Sequence, residues 1–269
     1  MRQRRLTCVV TNDDGVDSDG LRLLAAVAVS AGLDVTVAAP DGEASGSSAA
    51  MTAAAVDGRV KISRVELAGL DGTPAYAVAA VPAFIAFAAV RGAFGPPPAI
   101  LLSGINHGPN TGTAILHSGT VGAALTAAGA GVPAAAFSLA VTPGDGAAEW
   151  DTAAEVAALV LPVLANQRPG VVLNVNVPNV VPQALRGIRC GSLAPQRAVN
   201  LNLSGPAEEF LQVTPHHSTD APPAGSDSAL LAADYASVTR VLGICETSCA
   251  GLPWHAHPGD DAGGGPDGT

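Results

Sequence analysis

The stretch LTCVVTNDDGVDSDGLRLLAAVAVSAGLDVTVAAP, residues 6–40, decides the fold. Residues 6–10 form a short apolar run closed by turn residues, the pattern of a buried strand. From about Gly20 a helix is expected, stopped at Gly32, and residues 34–39 make a second strand. Strand, helix and strand within about thirty residues is the unit of a parallel sheet with right-handed crossovers. The unusual feature is the junction, because the first strand ends in Asn12, Asp13, Asp14 and Gly15. Adjacent carboxylates repel one another, so this arrangement calls for a positive partner.

The same rhythm recurs downstream. Residues 75–90 read as a buried strand leading into a helix, PAFIAFAAVRGAF being the helical part, and PPPAILLSGIN as a strand bounded by prolines. GTVGAALTAAGAGVPAAAFSLA then supplies helix, glycine stop and strand, DTAAEVAALVLPVLANQ a helix and GVVLNVNVP a strand. Such alternation predicts a doubly wound α/β sheet with helices on both faces. Beyond Pro178 the rhythm breaks into short strand-like pieces and prolines, expected to form an appended β-hairpin region or oligomerisation arm; DSALLAADYASVTRVLG returns to a helix and a strand.

Composition narrows the function classes. The 269 residues can bury one enzyme-sized core, and 48% hydrophobic against 13% charged residues excludes a wholly disordered chain. A net charge of −10 argues against a nucleic-acid polymer as partner, since tracking a phosphate backbone requires clustered Lys and Arg. Residues 75–90, the longest apolar stretch, contain Pro82 and fall short of the roughly 20 residues that span a bilayer, so no membrane partner is expected. The basic start is followed by only five weakly apolar residues, too few for a signal peptide, so a cytoplasmic location is expected. Cys8 and Cys190 read as small core residues; Cys245, Cys249, His255 and His257 are poorly spaced for zinc and precede a Gly-rich tail.

In an open parallel sheet, ligands bind beyond the carboxyl ends of the strands. Three such ends are polar here: TNDDG, APDGEASGSS and SGINHGPNTG. Their carboxylates, hydroxyls and amides make a hard oxygen set, which favours Mg²⁺ or Mn²⁺ over Zn²⁺. A divalent cation also converts the repulsion between Asp13 and Asp14 into attraction. In HSGTVGAALTAAGAG, Ser118, Gly119 and Thr120 open a helix whose first N–H groups lack intrahelical partners, a ready anion site, although Ser118 or Thr120 also fits a plain N-cap. Cation and anion site together point to a phosphoryl group.

These segments resemble the SurE (survival protein E) family of metal-dependent 5′/3′-nucleotidases and acid phosphatases. TNDDG, APDGEASG, SGINHGPNTG, HSGTVGAA and LNVNVP occur in the family's order and approximate spacing, with LRGIR and SDSALLAADYASVT as weaker late matches. The resemblance implies a Rossmann-like core over residues 1–180 and a C-terminal hairpin and oligomerisation region, 181–250, that exchanges between subunits of a homodimer or homotetramer; 251–269 is expected to be a flexible tail. It assigns one divalent cation per subunit to Asp13, Asp14, Ser45 and Asn106, and phosphate contacts to Asn110, Ser118, Gly119 and Thr120. Asp13 or Asp14 is the expected general base, and His117, immediately before the phosphate segment, is a candidate substrate contact; His107 is a second loop histidine, and His216 and His217 are expected at the surface.

Departures from the family pattern surround this set. The family's GTPADCV is AVPAFIA here, with Phe84 where an Asp is expected; Ala114 and His117 stand for an Asp and a Tyr, and Ala44 for a polar residue before the loop serine. A hydrolase of nucleoside monophosphates or a related small phosphate ester is the principal expectation. The alternatives are a ligand-binding or assembly protein with little catalysis, and a phosphatase dedicated to one pathway intermediate.

Overall fold

The computed structural model describes residues 5–142, 144–195, 199–207, 210–217 and 221–244, with the backbone alone for 199–207 and 210–217. The chain opens with β1 (Thr7–Thr11), α1 (Asp19–Ser30) and β2 (Asp34–Pro40), as the first stretch predicts. A meander follows: β3 (Ala55–Val56), β4 (Arg59–Val60), β5 (Ile62–Val65) and β6 (Ala75–Val78). Then come α2 (Pro82–Val90), β7 (Ile100–His107), a 3₁₀ segment (Gly112–His117), α3 (Gly119–Gly129), β8 (Ala134–Ala140), α4 (Trp150–Leu164) and β9 (Val171–Pro178). The last part holds a short 3₁₀ turn (Pro182–Ala184), β10 (Ile188–Cys190), β11 (Val199–Ala207), β12 (Phe210–His217), α5 (Asp227–Leu231) and β13 (Ala236–Leu242).

Nine strands form one sheet in the order β10-β13-β9-β8-β7-β1-β2-β6-β5. All pairings from β9 through β6 are parallel; β13 runs antiparallel to β9, and β5 antiparallel to β6. The strand direction of winding reverses at β1, with β2 on one side and β7 on the other, and this is the switch point at which doubly wound sheets open a crevice.

Alternating side chains of each strand feed two cores. Cys8 and Val10 point to the face covered by α1 and α4, packing with Leu21, Leu24, Val156 and Leu164. Val9 points to the other face, with Ile85 of α2 and Val121 and Ala124 of α3. The many alanines thus serve close helix-to-sheet contact on both faces. The fold is therefore the Rossmann-like, mostly parallel α/β sheet that the alternation predicts.

One expectation, for Cys190, is overturned, and two regions show more than the sequence pattern indicates. Of the C-terminal strands, β10 and β13 return to the edge of the main sheet, whereas β11 and β12 pair with each other as a separate antiparallel sheet. Residues 55–65, without a helical or strand-like reading in the sequence, supply β3, β4 and the edge strand β5; Arg59, Lys61 and Arg64 give that edge the charge that discourages further pairing. Cys190 is exposed, since β10 is the terminal strand on its side, whereas Cys8 is buried and its thiol pKa is pushed up by desolvation. Cys245, Cys249, His255 and His257 lie outside the described residues, as do the side chains of His216 and His217. Among the described residues no helix is long and apolar enough to cross a membrane.

Candidate active site

Strand β1 ends in four residues that leave the sheet at the switch point. Asn12 is fully buried and its amide nitrogen donates to the Gly15 carbonyl, 2.9 Å, and to Ser18 Oγ, 2.6 Å, which closes the turn and fixes the N-cap of α1. That turn presents Asp13 inward and Asp14 toward the cleft.

Asp13 is only 4% exposed. Its Oδ1 accepts the Thr120 hydroxyl at 2.5 Å, and the backbone N–H groups of Gly119 and Thr120, at the start of α3, also favour its ionised form. Burial is the stronger influence and raises its pKa. A Cβ on Gly119 would lie 2.8 Å from Asp13 Oδ2 and 2.6 Å from Ser47 Oγ, so only glycine lets the helix start approach this carboxylate. Asp13 backbone C=O accepts the Ala44 N–H at 2.8 Å, which draws the loop after β2 to the same place.

Asp14 is half-buried. Desolvation raises its pKa to about 6, reinforced by the charges of Asp13 and Glu43 and opposed by the His107 N–H, which donates to Asp14 Oδ2 at 3.1 Å. Asp14, Glu43, Ser45, Asn106, His107 and Trp150 line one cleft of about 420 Å³. Ser45 is exposed and donates its hydroxyl to Glu43 Oε1, 2.9 Å. Asn106, near the end of β7, donates its amide N–H to the Gly108 carbonyl at 2.8 Å, which leaves its amide oxygen as the donor atom for a ligand.

The structure thus brings Asp14, Ser45 and Asn106 into one cleft and sets Asp13 directly behind it against Gly119 and Thr120. Among the described residues no three His, Cys, Asp or Glu side chains gather as a metal-binding group. A cation here would rest on two carboxylates completed by a hydroxyl and an amide oxygen, a set suited to Mg²⁺ or Mn²⁺. Ser47 Oγ, buried without a hydrogen-bond partner and close to Asp13, adds an unused oxygen to that set. The pKa of both aspartates is raised chiefly because burial holds negative charge out of water, and a cation would relieve the same cost.

Of the expected phosphate contacts, Gly119 and Thr120 lie against Asp13 at the end of β1, and Asn110 is held by β8 and β9. Ser118 is the N-cap of α3, its Oγ accepting the Val121 N–H at 3.1 Å, so the hydroxyl hydrogen is what remains to offer a ligand. Asn110 is held from both ends: its N–H donates to Asn176 Oδ1, 2.8 Å, and its C=O accepts from the amides of Asn174 and Asn176, each 2.9 Å. One N–H of its side chain goes to Ser138 Oγ, 2.9 Å, leaving a second N–H. His117 ends the 3₁₀ segment and is exposed, away from the cleft that His107 lines. Phe84 sits half-buried within α2 and is not part of the cleft wall.

Several residues of the site were not singled out by the sequence reading. Asn174 and Asn176 were visible only as part of LNVNVP, and Asp227 only within SDSALLAADYASVT. Asp227 is fully buried; its Oδ2 accepts the Gly112 N–H at 2.7 Å, and its Oδ1 the N–H groups of Ala194, 3.0 Å, and Ser228, 2.8 Å. The C-terminal region thereby anchors the loop that leads to Ser118. Trp150 and Glu43 carried no sequence signal of their own.

Comparison with known proteins shows the family. Residues 8–200 match the family model described as Survival protein SurE. The chain is 36% identical over 236 residues to the 5'/3'-nucleotidase SurE of Edwardsiella ictaluri, covering 86% of this chain and 87% of that protein. It is 37% identical over 200 residues to the 5'-nucleotidase SurE of Carboxydothermus hydrogenoformans, 72% of each. The crystal structure of the Sure protein from Aquifex aeolicus superposes with a TM-score of 0.73 at 26% identity, over 88% of this chain and 93% of that one.

Proposed function

The chain belongs to the SurE family, and on that premise we propose that it is a divalent-cation-dependent phosphomonoesterase acting on nucleoside 5′- or 3′-monophosphates or a related small phosphate ester. The observation that carries this reading is the convergence of Asp14, Ser45 and Asn106 on one cleft at the switch point, with Asp13 behind them against the N-terminus of α3.

In this reading Asp13, Asp14, Ser45 and Asn106 hold one Mg²⁺ or Mn²⁺ per subunit. When bound, the cation supplies Lewis-acid polarisation of a phosphoryl oxygen and makes water more acidic. Thr120 orients Asp13 and favours its ionised form against the effect of burial. Asp13 or Asp14 serves as the general base that takes the proton of the attacking water. The free N–H of Asn110, the hydroxyl of Ser118 and the N-terminal dipole of α3 stabilise the negative charge that builds on the phosphoryl oxygens, while the Thr120 hydroxyl stays on Asp13. Gly119 permits that approach, and His117, outside the cleft lining, has no role in this reading.

The subunit is proposed to work as a homodimer or homotetramer. A separate apolar groove of about 860 Å³, lined by Ile115, Leu116, Leu125, Leu242 and Ile244, supports this. Leu116 is 69% exposed and Leu242 65%, apolar surface that a second subunit would cover.

The test is phosphate release from nucleoside 5′- and 3′-monophosphates, sugar phosphates and an aryl phosphate, with Mg²⁺, Mn²⁺ or EDTA. Cation-dependent turnover that is lost in Asp13→Asn, while its circular dichroism spectrum is retained, is the expected result. Full activity in Asp13→Asn, or none in the wild type with either cation, would sink the assignment.

A further inference from the structure

The cleft that holds Asp14, Ser45 and Asn106 has a second wall that the hydrolytic machinery does not use. His107 and Trp150 stand there as a tilted aromatic pair, ring centroids 6.1 Å apart at 48°. In a chain with 3% aromatic residues and two tryptophans, one tryptophan is placed at this rim. It is the first residue of α4, and the helix start is set by Asn179, whose Oδ1 accepts the Glu149 N–H at 2.9 Å.

Trp150 is half-buried. Part of its ring packs on the core beneath α1 and α4, and a Cβ added to Gly20 would lie 3.2 Å from Cζ3 and 1.9 Å from the Ile105 carbonyl oxygen. Gly20 is thus required by its approach to the Ile105 backbone, and the indole edge packs against the same spot. A ring gripped along one edge, with the rest facing a cleft, presents a flat surface whose ordering cost is already met before a ligand arrives. The wall also begins directly beside the cation position, since the His107 N–H is bonded to Asp14. The cleft volume, about 420 Å³, falls in the range of small-molecule sites.

We propose that Trp150, flanked by His107, is a specificity-determining residue on which the leaving group of the substrate stacks. Esters whose leaving group carries a flat aromatic ring, nucleosides above all, are then preferred over esters of aliphatic alcohols. This rests on the phosphomonoesterase reading of the same cleft. Stacking suits such a role because every nucleobase offers a π-face, which gives preference for a ring without selecting one base.

Two measurements on the full chain decide it. The first is kcat/KM for adenosine 5′-monophosphate divided by that for glycerol 3-phosphate, in wild type, Trp150→Ala and Trp150→Phe. The ratio is expected to fall about tenfold in Trp150→Ala and to stay near wild type in Trp150→Phe, which retains a ring. The second needs no turnover. Trp254→Phe leaves Trp150 as the sole tryptophan, and adenosine, but not ribose, is expected to quench its emission in a saturable way. An unchanged ratio in Trp150→Ala, or an emission indifferent to adenosine, overturns the proposal. If the wild type cleaves neither ester with Mg²⁺ or Mn²⁺, the hydrolase reading falls, and the quenching result alone then decides whether the indole binds a flat ring.

Discussion

Thr120, the second residue of α3, donates its hydroxyl to Oδ1 of Asp13 across 107 positions of sequence, at 2.5 Å. This bond ties the first strand to the helix that faces the proposed phosphate site. It also offsets part of the cost of burying Asp13.

Replacing Thr120 by Val keeps the shape and removes the donor. Asp13 then loses one of the contacts that lower its pKa, and a buried acceptor is left unmade. We expect a stability loss of about 1–3 kcal/mol by urea unfolding. Cation-dependent turnover should also require higher pH, because the proton competes better for Asp13. Unfolding and pH–rate curves that coincide with wild type would remove Thr120 from this role.

The pKa of Asp14, about 6, gives a signed pH dependence. The folded-state value lies above the ordinary carboxylate value of 3.8, so the protonated form is favoured by folding. The contribution to stability is present below about pH 4 and is lost as pH rises through about 6. Asp13 shifts the same way. In EDTA, the contribution of these groups should lower Tm over that interval and Asp14→Asn should flatten it, while added Mg²⁺ should raise Tm most above pH 6. Thermal melts in EDTA and Mg²⁺ across pH 4–7.5, comparing wild type with Asp14→Asn, check this.

Asn176→Ala removes the acceptor of the Asn110 N–H and one donor to the Asn110 carbonyl. Unmade buried bonds of this kind cost about 1–3 kcal/mol each. Because Asn110 is proposed to contact phosphate, KM and the inhibition constant of inorganic phosphate should both rise. A variant destabilised in urea yet kinetically identical to wild type would show that the cradle serves the fold alone.

Asp227→Asn places an amide N–H₂ where a carboxylate accepts three backbone N–H groups. At least one donor then faces another donor, and a loss of about 2–3 kcal/mol is expected from charge-assisted bonds of this type. Urea denaturation measures it. Turnover should fall alongside, since Gly112 leads directly into the segment ending at Ser118.

The strands and helices that alternate between residues 7 and 178 were legible because periodicity is a local property: buried strands show apolar runs and helices show apolar stripes. Asp13 and Asp14 were legible for the same reason, two like charges side by side at a strand end. The strands at residues 55–65 were not, because they are only two to four residues long and mostly exposed, too short to show a period. Cys190 was misplaced because burial depends on whether another strand lies beyond it, which no local window contains.

What the sequence determined by itself was the winding pattern and the set of oxygen-bearing loops at one rim. Tertiary structure alone decided which of those oxygens meet. Thr120 reaches Asp13, Asn176 reaches Asn110 over 66 positions, and Asp227 reaches Gly112 over 115. Trp150 comes to the cleft through the packing of α4 against α1, with its indole edge against Gly20. The reason is physical: periodicity follows from the backbone repeat of each element, whereas strand order and close approach follow from non-local pairing and packing, which choose partners only once the whole sheet is assembled.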